Sequence, residues 1–323
     1  MHTTRRGVLS LPLAVLAAPA LAQEANWPTR TIRLVVSYAP GGAADVMARL
    51  LAPRMSERLG QTIVVENRAG ASGTVGGAVV AQAEPNGYTL LWDAFSHIVN
   101  PLLLTGLAFD YEKAFAPISL VAAFPQALTV KAGSPYEDLP SFIAGAKANP
   151  GRINAGHSGN GTASHLLLER FRHVTGAPLN TVPYRGGGPA ATDLAAGVID
   201  CASLAISTAS QLQEAGRARI LGVATAERVP TRPNIPTLIE GGLPGFVMSD
   251  MAGFFAPAGT PLPIRRKLQQ TLAASLQEPE VKERLDQMVV LPGGNPPEEF
   301  GAWITQTRAE MAELVRVAGI RVD

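Results

Sequence analysis

The chain has 323 residues, 46% of them hydrophobic and 16% charged, which is enough apolar material for two packed domains and argues against intrinsic disorder. Lys and Arg number 27 against 26 Asp and Glu, a net charge of +1, and the longest basic run is Arg265-Arg266-Lys267, which argues against a phosphate-tracking nucleic-acid binder. A lone cysteine, Cys201, excludes an intramolecular disulfide framework and a cysteine-based zinc cluster; in its apolar run it reads as a small buried hydrophobe.

Residues Met1 to Ala22 read as an export signal. Arg5 and Arg6 form the basic start, Gly7 to Ala18 the mostly apolar stretch, and Ala20-Leu21-Ala22 the small-x-small cleavage site before Gln23. The run from Thr4 to Leu9 also resembles a twin-arginine signal, so the route is Sec or twin-arginine and the destination the periplasm. Removing the segment takes the charge from +1 to −1. Its apolar part is too short to span a bilayer, and no later stretch does better.

The mature chain alternates short β-rich runs with helical patterns. Ile32–Val36 is a strand bounded by Pro28 and Pro40. Val46, Leu50, Leu51, Met55 and Leu59 follow at helical spacing, with Gly60 as a stop. Thr62–Glu66 is a second strand, Thr74–Ala83 a helix and Tyr88–Trp92 a third strand, an order that implies a parallel sheet. The pattern restarts with a strand at Leu128–Val130, a helix at Leu139–Ala148, a strand at Ile153–Ala155 and a helix at Thr162–Thr175. Further strands fall at Asn180–Tyr184 and Ile220–Ala224, with a helix at Pro189–Ala196 between them, and the chain is mostly helical from Pro261. The expected division is 23–124 with 253–323 as lobe one and 125–252 as lobe two. Ligands of open α/β sheets bind beyond the carboxyl ends of the strands, so two facing lobes make a cleft suited to hinged closure.

Three strand-to-helix turns carry candidate chemistry. Tyr38 to Asp45 contains Gly41-Gly42 just before a helix, which leaves N–H groups free to hold a carboxylate or phosphate. The same residues also fit an ordinary turn with Asp45 as helix cap. Gly156 to Thr162 repeats the arrangement, with Ser158 and Thr162 as hydroxyl donors and His165 one turn into the helix; a plain Thr162 cap is the alternative. At Tyr184–Pro189 the proline fits a first helical position, and Arg185 reads as a surface residue.

Catalytic and cofactor motifs fail on inspection. There is no Gly-Lys-Ser/Thr run and no Gly-x-Gly-x-x-Gly, and Asn160 replaces the closing glycine of a nucleophile elbow around Ser158. His157, His165 and His173 recur every eight residues, a poor spacing for a shared metal, so no metal and no cofactor is expected.

Several runs together resemble the Bug family, the periplasmic solute-binding proteins of tripartite tricarboxylate transporters. They include Trp27–Val36, Pro40-Gly41-Gly42 with Asp45, Leu59-Gly60-Gln61, Val64–Arg68, Gly70–Gly73 and Pro85–Leu91. They continue through Ser158–Thr162 with His165, Val182–Gly187, Pro236–Leu238, Glu240, Gly242–Pro244 and Ala256–Pro261. The resemblance implies an α/β, type II periplasmic-binding fold of two α/β lobes around a ligand cleft. It implies capture of a small organic acid, a carboxylate or dicarboxylate, for membrane transporter subunits, by a monomer without catalysis. The residues it assigns to the ligand are Tyr38, Gly41, Gly42, Ala43 and Asp45 on lobe one and Ser158, Gly161, Thr162 and His165 on lobe two, with Asp93 to Ser96 bordering the cleft. Ser249–Gly253 departs from the family pattern: it lacks the tryptophan often seen there, and Asp250 or Met251 alters the cleft wall. A sensory receptor feeding a membrane kinase needs the same cleft, and a secreted hydrolase would use Ser158 with His165 as base.

Overall fold

The computed structural model describes residues 26–320, so the expected export signal lies outside the described residues. The chain opens with β1 (Ile32–Val36), α1 (Ala43–Leu59), β2 (Ile63–Asn67), α2 (Thr74–Ala81), β3 (Thr89–Ala94), α3 (Ser96–Leu103) and α4 (Tyr111–Ala114). β4 (Phe115–Lys131) leads to α5 (Leu139–Ala148), β5 (Ile153–His157), α6 (Ala163–Thr175), β6 (Leu179–Pro183), α7 (Gly187–Ala196), β7 (Cys201–Ala205), α8 (Ile206–Glu214) and β8 (Ala218–Val223). β9 (Ser249–Pro257), α9 (Leu262–Leu276), α10 (Pro279–Met288), β10 (Leu291–Pro292) and α11 (Pro297–Ala318) complete it.

β1 lies between β2 and β3, all parallel, as the β-α-β-α-β reading expects. In the other half β5 lies parallel between β6 and β7. The two halves meet in β4. Its first part, Phe115–Pro125, pairs antiparallel with β9, which in turn pairs with β3; its last part, Gln126–Lys131, pairs antiparallel with β7 and β8. The sequence reading placed a strand only at Leu128–Val130. Pro117 and Pro125 hid the rest, because proline lacks the ladder donor. The structure accommodates Pro117 with a register shift between Pro117 and Ser119. β7, α8, α3 and β9 were also unanticipated. Gly253 interrupts the β9 pattern, and the reason is packing: a Cβ there would lie 2.6 Å from the Phe255 ring.

One packing centre lies in the first lobe, and a second runs across both, joining Phe142 and Phe171 to Leu91, Phe255 and Phe300. The buried face of α1, with Met47, Leu51 and Met55, meets Trp92 and Phe254, whose rings stand 5.6 Å apart. Full burial of such side chains is worth about 1.5–3 kcal/mol each. In the second lobe α6 buries Leu166, Leu167 and Phe171, with Phe142 of α5 5.8 Å from Phe171. Cys201 is a free, buried core residue, as read from the sequence. α11 buries Phe300, Ile304, Met311 and Leu314 and packs on α3, on β4 and on α6, so it touches both lobes. α7 starts at Gly187, which places Pro189 at its third residue and corrects the expected start at Pro189.

Candidate ligand-binding site

The carboxyl ends of β1, β3 and β5 point toward one cavity of about 140 Å³ between the lobes, whose wall mixes polar groups with the apolar Phe95, Leu103 and Leu104. Tyr38 and Ser96 line it from the first lobe, and Gly161 and Thr162 from the second. Four of the expected ligand residues are thus brought together. Tyr38 Oη and Ser96 Oγ lie 2.5 Å apart. Burial pushes the Tyr38 phenol pKa up, and the Asp93 carboxylate adds to the rise, so the hydroxyl stays protonated and available as a donor.

The second turn is built to hold its own backbone while leaving part of it free. Thr162 caps α6: its Oγ1 accepts from His165 N at 3.3 Å and donates to Gly159 O at 2.7 Å. Ser158 Oγ donates to Thr162 Oγ1 at 3.2 Å and pairs with Ser164 Oγ at 3.0 Å. The amides of Gly159 and Gly161 donate to His157 Nδ1 and His165 Nδ1, at 3.3 and 3.2 Å. What remains are the amides of Asn160 and Ala163, on the cavity wall, with no protein acceptor among the described residues. Ala163 is the first residue of α6 and Asn160 lies in the turn just before it, where the helix dipole favours an anion.

Ser158 and His165 therefore serve the turn from behind and do not line the cavity. No hydrogen bond joins them: His165 Nδ1 accepts from Gly161, and its Nε2 lies 3.7 Å from Glu169 Oε1. His157 and His165 were expected to stand too far apart to meet, yet their rings stack at 4.4 Å. The helical spacing did not apply, since His157 ends β5 and only His165 is on α6. Burial pushes His157 down to about 4, with His165 adding to the shift; burial and Arg172 push His165 down to about 4. Both are neutral at pH 7, as two acceptor nitrogens require.

The first turn has a different internal order. Asp45 is buried, and its carboxylate accepts from Gly41 N at 2.9 Å, Arg49 Nε at 3.0 Å and Asn67 Nδ2 at 2.8 Å. Burial alone would raise its pKa; the Arg49, Gly41 and Asn67 donors outweigh that and hold it below the usual carboxylate range. An internal carboxylate thus occupies the glycine turn. Gly41, Gly42 and Ala43 are exposed and lie off the cavity wall.

Several wall residues escaped the sequence reading. Asn100 is buried on α3 and donates to Ser72 O at 2.8 Å and to Tyr111 Oη at 2.9 Å. Ser72 sits in a turn whose residues from Gly70 to Gly73 all have positive φ, including Ala71 at 44° and Ser72 at 54°. Such strain in non-glycine residues is characteristic of binding sites. Nothing in local propensity signals it. Asp250, flagged as a departure from the family pattern, is on the wall.

Two α/β lobes joined through a shared strand, with a cavity at their strand ends, define a periplasmic binding protein fold. The model of the tripartite tricarboxylate transporter family receptor matches residues 47–319. The chain belongs to that receptor family, which bears out the resemblance read from its motifs. It is 33% identical to protein BugT of Bordetella pertussis, over 96% of this chain and 95% of that protein. Among solved structures it is similar to R. palustris Rpa4515 with adipate, at 33% identity and a TM-score of 0.80, covering 91% of this chain and 99% of the other. MatC from Rhodopseudomonas palustris with bound malate gives 32% identity and a TM-score of 0.75, covering 90% and 100%.

Proposed function

We propose that this receptor captures a small carboxylic acid in the interlobe cavity and presents it to the membrane subunits of its transporter. The observation that carries this reading is the pair of free amides at Asn160 and Ala163. They face the Tyr38 and Ser96 hydroxyls across a cavity built from both lobes. Hydrogen bonds to an ionised carboxylate are about twice as strong as neutral ones, so two amides and a hydroxyl hold such a group firmly. The adipate and malate complexes of the two relatives support the same ligand class. Binding needs no covalent step. The chain acts as a monomer that leaves the cytoplasm through a signal cleaved before Gln23.

The two lobes divide as 23–124 with 253–323, and 125–252. The chain crosses between them in β4 and again between β8 and β9. There Gln126 N donates to Met248 O, Ala224 N to Gln126 O and Met248 N to Ala224 O, at 3.3, 2.8 and 2.8 Å. Closure bends at this three-way contact and brings Thr162 and Asn160 toward Tyr38.

Thermal melting of the refolded mature protein against a panel of organic acids tests the reading. A ligand at about 1,000 times its Kd stabilises by about 4 kcal/mol and raises Tm by several degrees. A selective shift by a carboxylic acid is expected; flat melts across mono- and dicarboxylates, hydroxy acids and amino acids would overturn it.

A further inference from the structure

The cavity wall carries one formally charged side chain among the described residues, and its sign is negative. Asp250 is the second residue of β9 and lines the same cavity as Asn160, Gly161 and Thr162. Its Oδ1 accepts from Met251 N at 2.8 Å and from Phe95 N at 3.2 Å, which fixes the carboxylate in place. Oδ2 has no protein donor among the described residues, and no Lys, Arg or His forms an ion pair with Asp250. Asp93 lies nearby with its own carboxylate, on Ala94 N at 3.0 Å and His97 Nδ1 at 3.2 Å. Burial pushes His97 down, so the imidazole supplies little positive charge. Burial also pushes the Asp250 pKa up, and Asp93 adds to the rise, the direction expected of a carboxylate still lacking its partner.

The wall thus carries two unlike groups. The free amides and helix dipole of the α6 turn attract an anion. The uncompensated Asp250 carboxylate of β9 repels one and offers an acceptor. A dianionic dicarboxylate long enough to touch both would set its second carboxylate against Asp250 in a low-dielectric cleft, where like charges interact strongly. Volume is also limited: a cavity of about 150 Å³ admits a benzene-sized molecule, and this one is about 140 Å³.

We infer that Asp250 is the specificity-determining residue of the cavity and that it selects a small amino-bearing monocarboxylate, a zwitterion, over dicarboxylates. The carboxylate of such a ligand sits on the Asn160 and Ala163 amides, and its ammonium donates to Asp250 Oδ2. The inference rests on the carboxylate-receptor reading above and narrows its ligand class.

The test is isothermal titration of refolded wild type, Asp250→Asn and Asp250→Ala at pH 7.5. The probes are glycine, β-alanine and 4-aminobutyrate against malonate, succinate and adipate. Asn keeps an Oδ1 acceptor for the Met251 and Phe95 amides, so Asp250→Asn is expected to fold, and its melting curve checks this. Wild type is expected to bind at least one zwitterion tenfold or more tighter than the dicarboxylate of matching length. Asp250→Asn is expected to lose that preference by tenfold or more. A wild type that prefers dicarboxylates, with or without proton uptake in paired buffers, overturns the inference and leaves the receptor reading standing. A preference that Asp250→Asn and Asp250→Ala leave unchanged also overturns the role of Asp250. If neither set binds, while Tm shifts with no acid of any kind, the receptor reading fails and this inference falls with it.

Discussion

Asp45 separates two roles that the first glycine turn could give a carboxylate. As a ligand contact its loss would weaken binding alone; as the brace described here its loss weakens the fold. Asp45→Ala strands the Gly41 N–H, held at 2.9 Å, removes one of the two acceptors of Asn67 Nδ2 (Tyr38 O is the other), and releases Arg49, whose side chain is 53% exposed and rehydrates freely. Hydrogen bonds to a charged acceptor contribute about 1.5–3 kcal/mol each, and the exposed Gly41 amide recovers part of its loss in water. The expected destabilisation is about 2–3 kcal/mol. For a chain of this length that lowers Tm by about 4–6 °C, at roughly 2 °C per kcal/mol. Asp45→Asn keeps one acceptor oxygen and should lose about half as much. The Asp45 pKa is held below its unfolded value, so its contribution is present above the ordinary carboxylate pKa and is lost as pH falls through the folded one. The Tm gap between wild type and Asp45→Ala should therefore close in acid. The assay is a melting series over pH, paired with the affinity of each variant for the best acid of the panel. An unchanged Tm with a tenfold loss of affinity would refute the brace and return Asp45 to the ligand.

Other outcomes follow from the same geometry. Thr162→Ala removes the α6 cap and the bond to Gly159 O and should cost about 2 kcal/mol, while Thr162→Ser stays within about 0.5 kcal/mol; equal melting of the two would remove the cap from the account. Tyr38→Phe deletes the cavity hydroxyl paired with Ser96 and should weaken the acid by about 1 kcal/mol, or fivefold, with Tm of the empty protein nearly constant. His157 and His165, pushed down to about 4 from 6.5, are neutral in the fold and charged when unfolded below pH 6.5. Stability is therefore full above pH 6.5 and falls as pH drops toward 4, by on the order of 3 kcal/mol for each histidine of the stacked pair. His165→Gln, which keeps an acceptor, should flatten that loss in a urea titration series, and an unaltered pH slope would contradict it. Gly253→Ala forces a methyl to within 2.6 Å of the Phe255 ring and 3.1 Å of Phe300, and should destabilise by about 1–3 kcal/mol in the same urea assay.

Much of the fold was legible because its signals were local. Ile32–Val36 is aliphatic at four of its five positions, Arg33 being the exception, and is bounded by prolines, and Leu139–Ala148 and Gly60 carry ordinary start and stop residues. The long β4 was not legible, because what makes Phe115–Pro125 a strand is pairing with β9 over a hundred residues away, against the local testimony of two prolines. The site divides the same way. The glycine turns announce where backbone is free, and Gly161 and Thr162 do meet Tyr38 and Ser96 at the cavity. Spacing could not say that Asp45, Ser158 and His165 would turn inward to hold those turns, since that depends on which neighbour satisfies each amide first. Asn100 and Ser72 belong to the site through a contact made across 28 positions, which no local pattern encodes.

β4 gives one 17-residue segment two duties, closing the ladder of β9 in one lobe and of β7 and β8 in the other. Neither sheet keeps its middle if the other surrenders that segment. Heat should thus dismantle both lobes in a single calorimetric transition, with calorimetric and van't Hoff enthalpies in agreement, although the chain is long enough for two. That shared spine ties the two halves into one cooperative unit without merging them into one sheet face.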